Sequence, residues 1–158
     1  MYRAEVASVY AFLFRLGAPK SDLPDLTHDV FAAAIARWTS FDRARPVRPW
    51  LLGIAWRTAS DWRQKKRPEL WDVLPDQADE ANPDASLEAR DAQRLLHDGL
   101  SKLDEAKRVA FVMHELNGLS VKDVASAMDA PLQTTYSRLR MAREELAIAV
   151  RRLQRGAA

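Results

Sequence analysis

The chain is predicted to be all-α: two small helical domains joined by an acidic linker. Three observations predict this. Only five of 158 residues are glycine, and no stretch sustains the apolar/polar alternation of a half-buried strand. Apolar side chains instead recur at three- and four-residue spacing, the period that gives a helix one apolar face. That pattern stops once, from Pro68 to Ala85, where Pro68, Pro75 and Pro83 stand among many acids.

The first helix is predicted near Ala4–Leu16, with Val6, Val9, Tyr10, Leu13 and Leu16 on one face and Gly17 and Pro19 ending it. The second begins around Leu23–Asp25 and reaches about Trp38, with Leu26, Val30, Ala34 and Trp38 inward. Asp22, Asp25 and Asp29 lie near its start, where negative charge favours the helix dipole, and His28 and Asp29 are left on the outer face. A basic loop, Phe41–Arg48, leads to Pro49, which opens a third helix running to about Lys66. Leu51, Ile54, Ala55, Thr58 and Trp62 are its expected inner face. Trp56, Ser60, Arg63 and Arg67 form a separate stripe, with Arg57 beside it. Aromatic and basic groups interleaved on an exposed face suit unstacked bases and their backbone. The bland alternative is that Trp50, Trp56 and Trp62 are all core; Trp62 is assigned to the core, and Trp50 and Trp56 stay open.

After the linker, Ser86 caps a helix through Ala92, Leu95, Leu96 and Leu100. Another spans about Asp104–Leu116, carries Val109, Ala110, Val112, Met113 and Leu116, and closes at Asn117-Gly118. The stretch Ser120–Arg143 then reads as two helices around a tight turn. Ser120 and Asp123 form a weakened capping box, and Asp129-Ala130-Pro131 breaks the run. Thr135, Leu139, Ala142 and Leu146 make a buried stripe that directs Gln133, Tyr136, Ser137, Arg140 and Arg143 elsewhere. With Thr134 and Arg138, that helix offers an amide, hydroxyls and arginines, groups suited to base edges and phosphates in a major groove. An amphipathic pair with a merely solvated basic face fits this stretch equally well.

Charge is segregated although the net charge is only +2. Asp42–Arg67 holds eight Lys/Arg against two Asp, Pro68–Glu88 holds seven Asp/Glu and no base, and from Arg138 onward six Arg face two Glu. Two cationic blocks around an acidic joint suggest a polyanion contacted in two places. Hydrophobic content of 47% with five Trp excludes general disorder. The absence of cysteine removes disulfides, thiol catalysis and thiolate metal sites. No signal peptide precedes Met1, and no apolar run approaches the ~20 residues of a membrane span, so a cytoplasmic protein without membrane insertion is expected. His28, His97 and His114 are scattered without ligand spacing, and no Gly-rich phosphate loop occurs. No metal, cofactor or enzymatic activity is expected.

The order of these parts is familiar. DLTHDVFAAAIARWTSFD, then RPVRPWLLGIAWRTASDWRQKKR, an acidic linker, and LDEAKRVAFVMHELNGLSVKDVASAMDAPLQTTYSRLRMAREELA together resemble a bacterial extracytoplasmic-function (group four) sigma factor, a subunit that directs RNA polymerase to promoters. The resemblance covers nearly the whole chain. It implies sigma region 2 at 1–67, an acidic flexible linker at 68–85, and a region 4 helix-turn-helix at 86–155. It implies that Asp25, His28, Asp29, Ala32 and Arg37 meet the clamp of the largest polymerase subunit. It implies that Arg43, Arg45, Arg48, Trp50, Trp56, Arg57, Ser60, Arg63, Lys66 and Arg67 hold the −10 element as single strand. It implies that Gln133, Thr134, Tyr136, Ser137, Arg138, Arg140 and Arg143 read the −35 duplex. The implied partners are core RNA polymerase through its clamp helices and flap, promoter DNA, and an anti-sigma factor that could hold the protein at the inner membrane.

The chain departs from the family at His28 (often Gln), Arg57 (often Asn), Gln133 (commonly Gly) and Thr135 (commonly a buried Val). A Thr in that core position needs a hydrogen bond, and the preceding turn can supply one. The departures leave room for a sigma-like decoy that binds an anti-sigma factor but no promoter. A stand-alone helix-turn-helix regulator is the other alternative, though it explains neither the Trp-rich basic helix nor the acidic joint.

Overall fold

The structure is a computed structural model that describes residues 2–65 and 86–157. Every regular element among them is helical. α1 (Tyr2–Arg15) runs into Gly17 at φ 99°, a left-handed position that glycine adopts without steric cost. Its buried stripe is Val9, Phe12, Leu13 and Leu16, spaced i, i+3, i+4, i+7 as an amphipathic helix requires. Tyr10, expected inward, lies one residue round from Val9 and stays 38% exposed, while Phe12 fills the core in its place.

α2 (Leu23–Ala36) carries Pro24 in its first turn and buries Leu23, Leu26, Val30 and Ala34. It stops short of Trp38. A 3₁₀ turn over Trp38–Ser40 swings that ring out of the expected inward row, onto Phe41 and Trp50. α3 (Val47–Lys65) buries Leu51, Leu52, Gly53, Ile54, Ala55 and Ala59. Its burial is wider than one stripe because it packs against α1 and α2 on one side and against the helix Val121–Ala127 on another.

In the second half, α4 (Leu87–Ser101) starts at Ser86, whose Oγ accepts the Ala89 N–H at 3.1 Å. α5 (Glu105–Phe111) starts at Asp104, whose Oδ1 accepts the Lys107 N–H at 3.0 Å. Both are side-chain caps; the sequence predicts the first, and the second emerges at a residue expected only to begin its helix. The helix expected to run unbroken to Leu116 instead widens into a π turn over Val112–Leu116, closed by the Asn117 N–H on the Val112 carbonyl at 2.9 Å. α6 (Val121–Ala127) begins with Ser120 Oγ accepting the Asp123 N–H at 3.1 Å. The turn after it places Asp129 at φ 53°, which aspartate tolerates better than most residues. α7 (Leu132–Ala157) follows. Thr135 is 1% exposed and its hydroxyl donates to the Pro131 carbonyl at 3.0 Å, the back-bond expected of a buried threonine.

The two sets of helices meet. A Cβ built on Gly53 of α3 would lie 2.9 Å from the Ala127 carbonyl oxygen of α6, so the helices approach at a distance only glycine permits. Arg108 is 5% exposed; it donates to the Leu100 and Leu103 carbonyls at 3.0 Å each and reaches across to the Leu16 carbonyl at 3.4 Å. Arg15 answers from the other side, donating to the Leu116 carbonyl at 3.4 Å. Each half thus supplies an arginine to the orphan carbonyls of a helical end in the other. The expected linker, 68–85, lies outside the described residues.

Candidate nucleic-acid interface

On α7 the predicted division is present. Thr135, Leu139, Ala142 and Leu146 are buried against α4, α5 and α6, which leaves Gln133, Tyr136, Ser137 and Arg140 exposed and Thr134 and Arg138 half-covered. Tyr136 exposes 54% of its surface, which leaves much of an apolar ring in open water. Arg143 is exposed but engaged, its Nε donating to Glu115 Oε1 at 2.7 Å. Lys107 is drawn away from this face between Asp104 (3.3 Å) and Glu145 (3.0 Å). The Glu145 hydrogen bond, with those to Asp104, holds its ammonium above the ordinary range. Asp104 is held below the carboxylate range, first by the Lys107 backbone N–H it caps and then by nearby cations that include Arg138.

The second candidate surface is built on the loop before α3. Phe41 and Trp50 stack at 4.7 Å, Trp38 closes on both, and the Arg43 guanidinium lies 5.5 Å above the Trp38 ring. The remaining loop cations are held by surface ion pairs: Arg45 to Asp42 at 3.6 Å and Arg48 to the half-covered Glu5 at 3.4 Å. Such pairs are worth little and exchange readily for phosphates. A groove of about 500 Å³ begins here, lined by Arg37, Arg45, Trp50 and Arg57, with Lys122 and Ser126 of α6 on its far wall. Sequence reasoning missed Phe41 and Lys122, which only the fold brings to this groove.

The stripe on α3 is less open than its periodicity suggests. Trp56 is half-buried against the core with its indole N–H enclosed, and Ser60 and Arg63 are half-covered; among the described residues of this stripe and its flank, Arg57 is the exposed one. Trp62 packs on the core rim and donates from Nε1 to Asp29 Oδ2 at 3.0 Å, so Asp29 is not left on a free outer face. Asp25, His28, Ala32 and Arg37 remain exposed along α2. Lys66 and Arg67 lie outside the described residues. Glu115 was invisible to spacing arguments, because its partner Arg143 is 28 positions away.

An all-helical fold whose last helices form a helix-turn-helix, beside an aromatic and basic loop, defines a sigma-70 type architecture. The model of Sigma-70 region 2 matches residues 1–69, and that of Sigma-70, region 4, matches residues 93–146. The chain is 31% identical over 137 residues to the ECF RNA polymerase sigma-E factor of Haemophilus influenzae, spanning 79% of this chain and 72% of that protein. It is 29% identical over 157 residues to the same-named protein of Escherichia coli, covering 92% and 80%. The chain belongs to the extracytoplasmic-function RNA polymerase sigma factors. The sigma factor RpoE of Bartonella quintana, solved with its anti-sigma factor NepR, shares the fold at TM-score 0.74 and 22% identity, covering 94% of this chain and 92% of that one. CnrH, solved with the cytosolic domain of CnrY, does so at 0.68 and 23%, covering 90% and 79%. Among the described residues no helix is long and apolar enough to cross a membrane.

Proposed function

We propose that this sigma factor docks on the clamp of core RNA polymerase through the outer face of α2, captures the melted −10 strand along the Phe41–Arg48 loop and α3, and reads the −35 duplex with α7. Residues 1–67 and 86–155 are the two working domains and 68–85 the acidic joint. The observation that carries the reading is α7 itself. Its apolar stripe is consumed by the helices behind it, and Gln133, Tyr136, Ser137 and Arg140 are thereby presented together at the helix start, where recognition helices meet base edges.

The division of labour follows from magnitudes. Opening duplex DNA forfeits about 1.4 kcal/mol of stacking per base-pair step. A base stacked on an aromatic ring returns roughly 1–3 kcal/mol. Trp50, backed by Phe41 and Trp38, supplies such a platform, and Arg43, Arg45, Arg48 and Arg57 supply phosphate neutralisation. A single aromatic cluster cannot melt a promoter unaided, so the protein captures strands that polymerase helps to separate. Two weak grips, joined by a linker, become selective through avidity. The protein works in the cytoplasm, without catalytic activity of its own and under restraint by an anti-sigma factor; the complex of RpoE with its anti-sigma factor NepR supports that last point.

The test is copurification with core polymerase followed by transcription from a randomised promoter pool. Start sites sharing two spaced motifs are expected, with poor promoter binding by free protein. Tight sequence-specific binding by the free protein, or failure to bind core enzyme, would overturn the proposal.

A further inference from the structure

The ion pair behind the reading helix has a use that stability does not explain. Arg143 and Glu115 are half-exposed, their side chains 53% and 33% accessible, and exposed pairs of this kind contribute little to folding. Yet Glu115 Oε1 takes both the Nε and the Nη2 N–H of Arg143, at 2.7 Å from Nε. That grip fixes one edge of the guanidinium and leaves three N–H groups on the far side for another acceptor. Glu115 comes within reach because it stands in the Val112–Leu116 π turn, which alters the helical register just before α6.

The position of Arg143 indicates what that acceptor is. It lies ten residues beyond Gln133 on α7, about 15 Å along the axis at 1.5 Å per residue. A helix that enters a major groove by its first turns has left the base edges by then and passes the bounding phosphates. A long arginine side chain loses much rotamer freedom when it is pinned on one phosphate. A carboxylate that already holds it in place removes part of that loss.

We propose that Glu115 is a positioning residue for promoter binding: it holds Arg143 as a pre-set clamp for a phosphate flanking the −35 site. This rests on the reading of α7 as the duplex-binding helix. The alternative sign, in which Glu115 neutralises Arg143 and repels DNA, predicts the opposite response to mutation.

The experiment uses full-length protein in holoenzyme and a duplex that wild-type holoenzyme selects from a randomised pool. Affinity is titrated against salt for Arg143→Ala, Glu115→Ala, Glu115→Gln, Glu115→Asp and the double alanine variant. Arg143→Ala is expected to weaken binding about tenfold and to lower the salt slope by about one ion. Glu115→Ala should weaken it about 3–10-fold with part of the same slope loss, Glu115→Asp should recover some of it, and the double variant should be no worse than Arg143→Ala alone. A loss of fold lowers the active fraction without changing the slope, so Glu115→Gln and helicity by circular dichroism separate the two. Tighter or unchanged binding in Glu115→Ala and Glu115→Gln, with Arg143→Ala still weak, overturns the positioning role while sparing α7. No effect of Arg143→Ala overturns the clamp alone, whereas no effect of Arg143→Ala and of Arg140→Ala together overturns the reading of α7 as well.

Discussion

Replacing Gly53 with Val tests the meeting of the two halves. At Gly53 an added Cβ would stand 2.9 Å from the Ala127 carbonyl oxygen and 3.4 Å from its Cα. Carbon contacts are comfortable at about 3.5–4.0 Å. The obstacle is helix backbone, which cannot rotate aside, so α3 and α6 must separate by about half an ångström for alanine and by more for a branched side chain. Overpacking of this kind costs about 1–3 kcal/mol. Alanine recovers up to about 1 kcal/mol from helix propensity, whereas valine recovers less. Gly53→Val should therefore shift the balance from closed to open by about 2 kcal/mol, roughly 30-fold, while leaving each half helical. The chain lacks cysteine, so a dye pair at Ile35→Cys and Ile148→Cys, both on exposed side chains, is free of background. Energy transfer should fall in Gly53→Val with an unchanged helical spectrum. Equal transfer efficiency in both proteins would refute the idea that this glycine sets the approach.

Arg108→Met should lower stability by about 3 kcal/mol in denaturant melts, because it strips donors from the Leu103, Ser101 and Leu16 carbonyls; a change below 1 kcal/mol would show those groups have other partners. Thr135→Val should be neutral or slightly stabilising, since the residue is 1% exposed and the Pro131 carbonyl keeps the Thr135 N–H at 3.0 Å; a loss above 1 kcal/mol would contradict that. His97 sits edge-on to Phe14 at 4.8 Å, and burial, then the Arg15 charge, push its pKa below the ordinary 6.5. The unfolded chain therefore binds this proton more readily, so stability falls as pH drops through about 6.5 toward the lowered folded value. His97→Phe should flatten that part of the Tm–pH curve, and an unaltered curve would remove His97 from the account. Arg140→Ala should cost about 1–3 kcal/mol and relax preference at one position of the −35 site; uniform weakening across sequences would make Arg140 a phosphate contact.

Local chemistry carried the reading a long way. Ser86 and Ser120 cap the helices they were expected to cap, because an N-cap is decided within four residues. The stripe Thr135, Leu139, Ala142, Leu146 is buried as its spacing requires. Where the reading failed, the deciding contact was distant. Trp38 was placed inward by continuing a period that a 3₁₀ turn interrupts, and the π turn at Val112–Leu116 interrupts another. Spacing leaves Trp56 undecided between core and open platform; α3 is covered on more than one side, and that half-encloses its ring.

Taken alone, the order of residues determined the helical class, the amphipathic faces, the segregation of charge and the family, all of which depend on neighbours within a turn or two or on motif order. Only the folded chain decided that Gly53 meets Ala127, that Arg108 caps carbonyls of both halves, and that Glu115 grips Arg143. Those pairings join positions separated by up to 92 residues. No period or spacing rule reaches so far; they exist because burying apolar surface forces particular helices into contact, and the polar groups trapped there must then find partners.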